Sequence, residues 1–258
     1  MPYFERLDAA TFRATPLTGG AWKVDEQHIA PALGLLTHVI ETDRDTRRDD
    51  GLQITRVTFD IWGTVPIAEV ATEVRVVRPG RTIELVEASL SHAGRVVVSA
   101  RAWLMSTSDT TALAGSALDP LPAPDDLEPW DPTQVWPGGF IGTVELRRDQ
   151  VEPGRGRFWA RTEEPLLAEP ISPVARVLGL VDIANGMTVR ADPRAVAFPN
   201  LDLTAHLLRA PVTGPGGWVG FDTTVSFGPT GHGLTSTVLH DAAGPLGTVA
   251  QTLTVRPT

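Results

Sequence analysis

The chain has 258 residues, a net charge of −9 and no cysteine. This length can form one large domain or two small ones, and it is enough to bury about 70–75% of the unfolded surface. The negative charge argues against a nucleic-acid partner, and the lack of cysteine excludes disulfides, thiolate metal ligands and a cysteine nucleophile. The sequence opens without a secretory pattern and has no apolar window of 18 residues, so we expect a cytoplasmic protein that does not span a membrane.

The first half predicts two short strands, a long helix and four further strands. Between residues 27 and 44, apolar side chains recur every three or four positions, which is typical of a helix, and Asp25 is the predicted N-cap. From residue 53 to 62, apolar and polar residues alternate, which indicates a half-buried strand. The remaining predicted strands cover residues 67–78, 81–91 and 96–105.

The segment between the halves is rich in proline and aspartate, with the sequence DPLPAPDDLEPWDPTQVWP. Proline cannot donate a backbone hydrogen bond to a helix or a sheet, so this composition indicates an extended linker. We therefore predict an N-terminal domain at 1–106, a linker at 107–138 and a C-terminal domain at 139–258.

The second half repeats the same order of elements. A predicted hairpin comes first, within residues 140–164, and is followed by a helix with Ser172 as N-cap and Pro173 at the first helical position. Asn185-Gly186 is a typical helix end. Four strands are then predicted at residues 201–208, 218–227, 234–240 and 247–255.

The two halves also resemble each other in sequence. GRTIELVEASLSHAGRVVVSARAWLM in the first half aligns with GHGLTSTVLHDAAGPLGTVAQTLTV in the second, and the turn glycines fall at Gly94 and Gly244. A repeat of this size indicates a duplicated unit. The pattern therefore predicts an α+β fold in which a sheet packs on one long helix, twice over.

Common catalytic and cofactor motifs are absent from the sequence. We find no zinc motif, P-loop, GxGxxG or GxSxG, and no pair of histidines at helical spacing. No metal and no redox cofactor are expected. Three polar residues instead stand in strand-like surroundings of the second half: Asp202, Ser226 and Gln251. Each one alone is typical of a turn or a solvated strand face, and only their joint occurrence in one family pattern favours a catalytic site.

Nearly the whole chain resembles the acyl-CoA thioesterase II (TesB-type) family, in particular its actinobacterial members, and the resemblance is strongest in the second half. NLDLTAHLLRAP, then Trp218, GHGL and DAAGPLGTVAQTLTVR follow in the family's order. The resemblance implies a double hotdog fold and an acyl-CoA thioesterase that needs no cofactor. It also implies a catalytic set of Asp, Thr or Ser, and Gln, which falls on Asp202, Ser226 and Gln251, with Thr224 as the alternative to Ser226. Asp202 would activate a water that the other two hold.

Hotdog enzymes also resemble one another in binding the substrate carbonyl at a helix start. Carried over, this substrate-binding role falls on Gln27, His28, Ile29 and Ala30. The sequence QHIAP departs from the family here, since relatives usually have a glycine pair after the histidine. That departure favours a first alternative, a non-catalytic protein that binds acyl-CoA or an acyl carrier. A hotdog enoyl-CoA hydratase is the second, because His206 follows Asp202 by four residues. A homodimer or higher homo-oligomer is left open.

Overall fold

One antiparallel sheet of 13 strands wraps around the helices of both halves in the computed structural model, which describes residues 1–258. The helices are α1 (Ile29–Arg47), α2 (Pro173–Leu178) and α3 (Ala184–Met187). The strands of the first half are β1 (Phe4–Arg6), β2 (Thr11–Ala14), β3 (Gln53–Ile61), β4 (Glu69–Arg78), β5 (Ile83–His92) and β6 (Arg95–Met105). The remaining strands are β7 (Glu128–Trp130), β8 (Val144–Glu152), β9 (Arg155–Thr162), β10 (Val196–Ala197), β11 (Asp202–Leu207), β12 (Val219–Phe227), β13 (His232–Asp241), β14 (Gly244–Thr254) and β15 (Arg256–Pro257).

The strand order confirms the predicted duplication. The first half runs β2-β4-β5-β6-β3 and the second runs β9-β12-β13-β14-β11, so corresponding strands hold corresponding places. The two halves join through the antiparallel pair β3–β11. The turns at Gly94 and Gly244 both adopt positive φ, +75° and +98°, a conformation that favours glycine. Inside the segment predicted to be a linker, β7 pairs with β8 at the edge of the sheet.

Helix α1 begins later than predicted, and its cap is a different residue. The prediction of Asp25 as N-cap is wrong: His28 has extended backbone, and its Nδ1 accepts the backbone N–H of Ala30 at 3.2 Å. Every residue from 29 to 41 is buried, because the sheet covers one side of the helix and the second-half helices cover the other. No helix of the chain is both long and apolar enough to cross a bilayer.

The helix predicted in the second half is broken into pieces. Ser172 caps it by accepting the N–H of Ala175 at 3.0 Å, and Pro173 opens it, as predicted. After α2 the chain passes through Gly179 into a 3-10 turn at Val181–Ile183 and then into α3. These pieces run antiparallel to α1, and a Cβ on Gly34 would lie only 2.9 Å from the Gly179 Cα. This close crossing places the 3-10 turn beside the start of α1.

Candidate active site

A cavity of about 560 Å³ lies where the start of α1 meets the second half of the chain. Both halves contribute to its wall, with His28 and Ile29 from the first and Asp182 and Asn200 from the second. Trp136, from the segment predicted as a linker, also lines it, buried and donating its indole N–H to the Gly186 carbonyl at 2.8 Å. The size and the mixed lining are typical of a small-molecule site.

Asp182 is the buried carboxyl group of this cavity. It lies in the 3-10 turn and is 5% exposed. Its Oδ1 accepts two hydrogen bonds, from the Asn200 side-chain amide at 2.7 Å and from the Gln251 amide at 3.1 Å. Burial raises the pKa of Asp182 to about 7, and the two amide donors lower it against that trend. Asp182 is therefore poised to exchange a proton near neutral pH.

The start of α1 presents hydrogen-bond donors next to this carboxyl group. Burial lowers the pKa of His28 to about 3, so its ring is neutral. Since Nδ1 accepts the Ala30 N–H, the ring proton lies on Nε2. Nδ1 lies 3.6 Å from Asp182 Oδ2, so the imidazole ring and the carboxyl group are direct neighbours. The Ile29 backbone N–H, at the positive end of the helix, donates to no acceptor within the protein.

All four residues predicted for substrate binding lie at this helix start, but not all reach the cavity. Gln27, His28 and Ile29 line it, whereas Ala30 does not. The Gln27 amide donates to the Pro66 carbonyl at 2.7 Å, and its buried Oε1 has no partner. The N–H of Ala30 is taken by His28, so Ile29 supplies the free backbone donor.

The predicted catalytic set is not brought together, because its members lie on two faces of the sheet. Gln251 is 1% exposed and pairs with Thr235, which pairs with Val225, so these three share the inner face. Ser226 is the next residue along and therefore points outward, where it is exposed. The alternative, Thr224, lies two residues away and shares that outer face.

Asp202 also lies on the outer face. Its strand neighbour Leu203 is fully buried, and the inner positions continue with Ala205 and Leu207. The Asp202 carboxylate accepts the backbone N–H of Thr252 at 2.6 Å, which holds the start of β11 against β14. Of the three predicted catalytic residues, the structure therefore places only Gln251 at the buried carboxyl group.

Asp182 and Asn200 are the residues that sequence reasoning missed. The signal for Asp182 is an acidic residue inside the apolar stretch VLGLVDIANGM, directly after Val181. An aspartate is almost never fully buried without a partner, so a carboxylate at such a position favours a functional role. Asn200 gives no comparable signal, since an asparagine before a strand is typical of a turn.

Solved structures with the same architecture define the fold. A conserved hot dog-fold protein from Alicyclobacillus acidocaldarius is 15% identical, with a TM-score of 0.75 over 97% of this chain and 95% of that chain. The acyl-CoA thioesterase II TesB2 from Mycobacterium marinum is 16% identical, with a TM-score of 0.68 over 99% and 96%. The TesB protein from Mycobacterium avium subspecies paratuberculosis is 16% identical, with a TM-score of 0.67 over 98% and 96%. The fold is a double hotdog.

The family follows from the sequence match. Residues 122–255 match the acyl-CoA thioesterase C-terminal domain, and residues 18–105 match the N-terminal domain. The chain belongs to the acyl-CoA thioesterase family and is a thioester hydrolase by class. Among curated proteins, none matches it.

Proposed function

We propose that this protein hydrolyses acyl-CoA to a free fatty acid and coenzyme A, with Asp182 as the base that activates water. The observation that carries the proposal is the buried Asp182 carboxyl group, with a pKa of about 7, on the same cavity as the free N–H of Ile29. A general base is most effective when its pKa lies near the working pH. Asp182 thus takes the role that family resemblance implies for Asp202, whose carboxylate holds the sheet instead.

The chemistry needs a base on one side of the thioester carbonyl and donors on the other. Asp182 Oδ2 takes a proton from water as the water oxygen bonds to the carbonyl carbon. The oxygen that becomes negative is stabilised by the Ile29 N–H at the helix start and by the neutral His28 Nε2–H. The C–S bond then breaks, and the departing thiolate takes the proton from Asp182, which restores the carboxylate. Asn200 and Gln251 hold the carboxylate through Oδ1 and leave Oδ2 free for this transfer.

Release of thiol from a panel of saturated acyl-CoAs, detected with DTNB, tests the reaction. We expect free coenzyme A to appear in proportion to enzyme. Binding of acyl-CoA without release would contradict the proposal and favour the non-catalytic alternative.

A panel of enoyl-CoAs tests the hydratase alternative, with hydration measured as loss of the enoyl absorbance. Its candidate pair, Asp202 and His206, lies on the outer face with His206 exposed, away from the cavity, so we expect no hydration.

The pH dependence of hydrolysis provides a second prediction. Since Asp182 acts only when ionised, kcat/KM should rise with pH and level off above the pKa of about 7. His28 stays neutral over this range and adds no inflection. The profile of kcat/KM between pH 5 and 9 checks this. A rate that is flat from pH 5 upward would contradict a base with so high a pKa.

Removing the Asn200 side chain should shift the pH profile of kcat/KM. Its amide stabilises the charged form of Asp182, so Asn200→Ala is expected to raise the pKa of Asp182 and shift the acidic limb of kcat/KM to higher pH. Asn185→Ala is the matched control, because Asn185 is a buried asparagine on the same cavity that donates to the Phe198 carbonyl instead. If the acidic limb of kcat/KM stays in place in Asn200→Ala, or moves equally in Asn185→Ala, Asn200 does not set the pKa of Asp182.

A further inference from the structure

The mouth of the cavity carries large apolar side chains in contact with solvent. Trp62 is 62% exposed, Leu201 51% and Trp22 42%, and all three line the same cavity. A cluster of exposed apolar side chains at a cavity entrance is typical of a surface that a ligand covers. The acyl part of a substrate belongs deeper in the cavity, so these residues face the part of the ligand that remains outside.

Trp62 is held in place although its ring is exposed. Its indole N–H donates to the Ser99 hydroxyl at 3.0 Å, and its backbone N–H donates to the Val97 carbonyl at 2.9 Å. A ring fixed in this way loses little conformational freedom when a ligand stacks on it. Every nucleobase has a π face, so a fixed and solvent-exposed indole is a suitable stacking surface for a purine.

A cation lies at the same edge of the sheet. Trp62 follows the end of β3, Leu201 precedes β11, and Arg256 follows β14. The three strands are adjacent and antiparallel, with Leu201 hydrogen-bonded to Ile61 on one side and to Thr252 on the other. β3 and β14 are thus separated by two strand spacings, about 10 Å. Arg256 lines the cavity, is exposed and takes part in none of the chain's ion pairs.

We infer that this mouth is a subsite for the nucleotide half of coenzyme A, in which Trp62 stacks on the adenine and Arg256 pairs with phosphate. The inference rests on the proposed function for the identity of the thioester. An unpaired guanidinium is a strong phosphate ligand, and its charge matters more in a chain whose net charge is −9. The other cation at the mouth, Lys23, already contacts Glu26 at 3.3 Å. With this subsite, the enzyme would bind an acyl-CoA more tightly than a thioester that lacks the nucleotide.

Equilibrium binding tests the subsite without relying on catalysis. We compare the Kd of free coenzyme A with that of 4′-phosphopantetheine, which lacks the nucleotide, by calorimetry. Trp62→Ala should weaken coenzyme A about ten-fold and leave 4′-phosphopantetheine unchanged, since losing one stacked base typically costs that much or more. Trp62→Phe keeps a ring and should recover much of the affinity. Arg256→Ala should weaken coenzyme A more than 4′-phosphopantetheine, which keeps only one of the three phosphates, with a loss that shrinks as salt is raised.

Trp103→Ala is the control, because Trp103 lies on β6 outside the cavity. Equal weakening of both ligands by Trp62→Ala would place Trp62 against the pantetheine and overturn the inference. Unchanged coenzyme A affinity in the Trp62 and Arg256 variants would overturn it as well. Because the readout is binding, an enzyme that binds coenzyme A through Trp62 and releases no thiol would contradict the proposed function while supporting the subsite.

Discussion

Asp182→Asn should lower kcat/KM for acyl-CoA hydrolysis by at least about 100-fold, the scale of losing a general base. The amide has nearly the same shape as the carboxyl group and still meets Asn200 and Gln251 through its oxygen, but it accepts no proton from water. The cavity and the donors at the start of α1 remain. The loss should therefore appear in kcat, with KM little changed. DTNB assays at pH 8 measure it.

The same variant should be at least as stable as the wild type, and this separates lost chemistry from lost folding. The folded pKa of about 7 lies above the ordinary value of 3.8, so the folded state holds a proton that the unfolded state releases between those pH values. The contribution of Asp182 to stability therefore falls as pH rises through this window, by about 4 kcal/mol in total. Asp182→Asn removes that dependence. Urea unfolding at pH 5 and pH 8 should show a smaller difference for the variant than for the wild type.

Asp202→Asn is the matched control for the same assays. Asp202 accepts the Thr252 N–H on the outer face, so its variant should lose some stability and keep most of the activity. A loss of rate in the Asp202 variant as large as that in the Asp182 variant, at equal folded fraction, would return the catalytic role to Asp202.

Gly34→Val should destabilise the fold by about 3 kcal/mol, because the helices cross at this glycine. A Cβ on Gly34 would lie 2.9 Å from the Gly179 Cα and 3.1 Å from the Ala175 carbonyl oxygen. Both are backbone atoms and cannot rotate away. The helices would have to separate, which moves Asp182 away from His28, so activity should fall together with stability. Urea unfolding and thiol release measure the two effects.

Gly142→Ala is the control for this crossing. Gly142 lies in the 3-10 turn Ile141–Thr143, and a Cβ there meets no atom within 4 Å. Its variant should remain within about 0.5 kcal/mol of the wild type. A Gly34 variant that is as stable as the Gly142 variant would show that the helices do not depend on this contact.

Most of the fold is predictable from local patterns. Alternating apolar residues give the strands, the duplicated turns at Gly94 and Gly244 give the repeat, and Ser172-Pro173 gives the start of the second helix. Helix α1 is harder to delimit, because its start depends on how the His28 ring folds back on the backbone. The break after α2 falls at Gly179, which caps the helix and lies against Gly34 where the helices cross.

The candidate site is only partly predictable, because a strand has two faces and sequence spacing alone does not say which is inner. Ser226 stands next to the buried residue Val225, so a single-residue difference in register exchanges an outward side chain for an inward one. Gln251 falls on the inner face and meets Asp182, a contact between residues 69 positions apart. Such a meeting depends on the helix crossing, so it becomes visible only in three dimensions.

Titration of the Asp182 carboxyl group itself tests the central claim most directly. Carbon-13 NMR of protein labelled at aspartate, with the signal assigned by its absence in Asp182→Asn, reports this pKa without substrate. We expect a value of about 7 that coincides with the acidic limb of kcat/KM. A carboxyl group that titrates near pH 4, or an acidic limb of kcat/KM that does not coincide with the titration, would contradict Asp182 as the base of thioester hydrolysis.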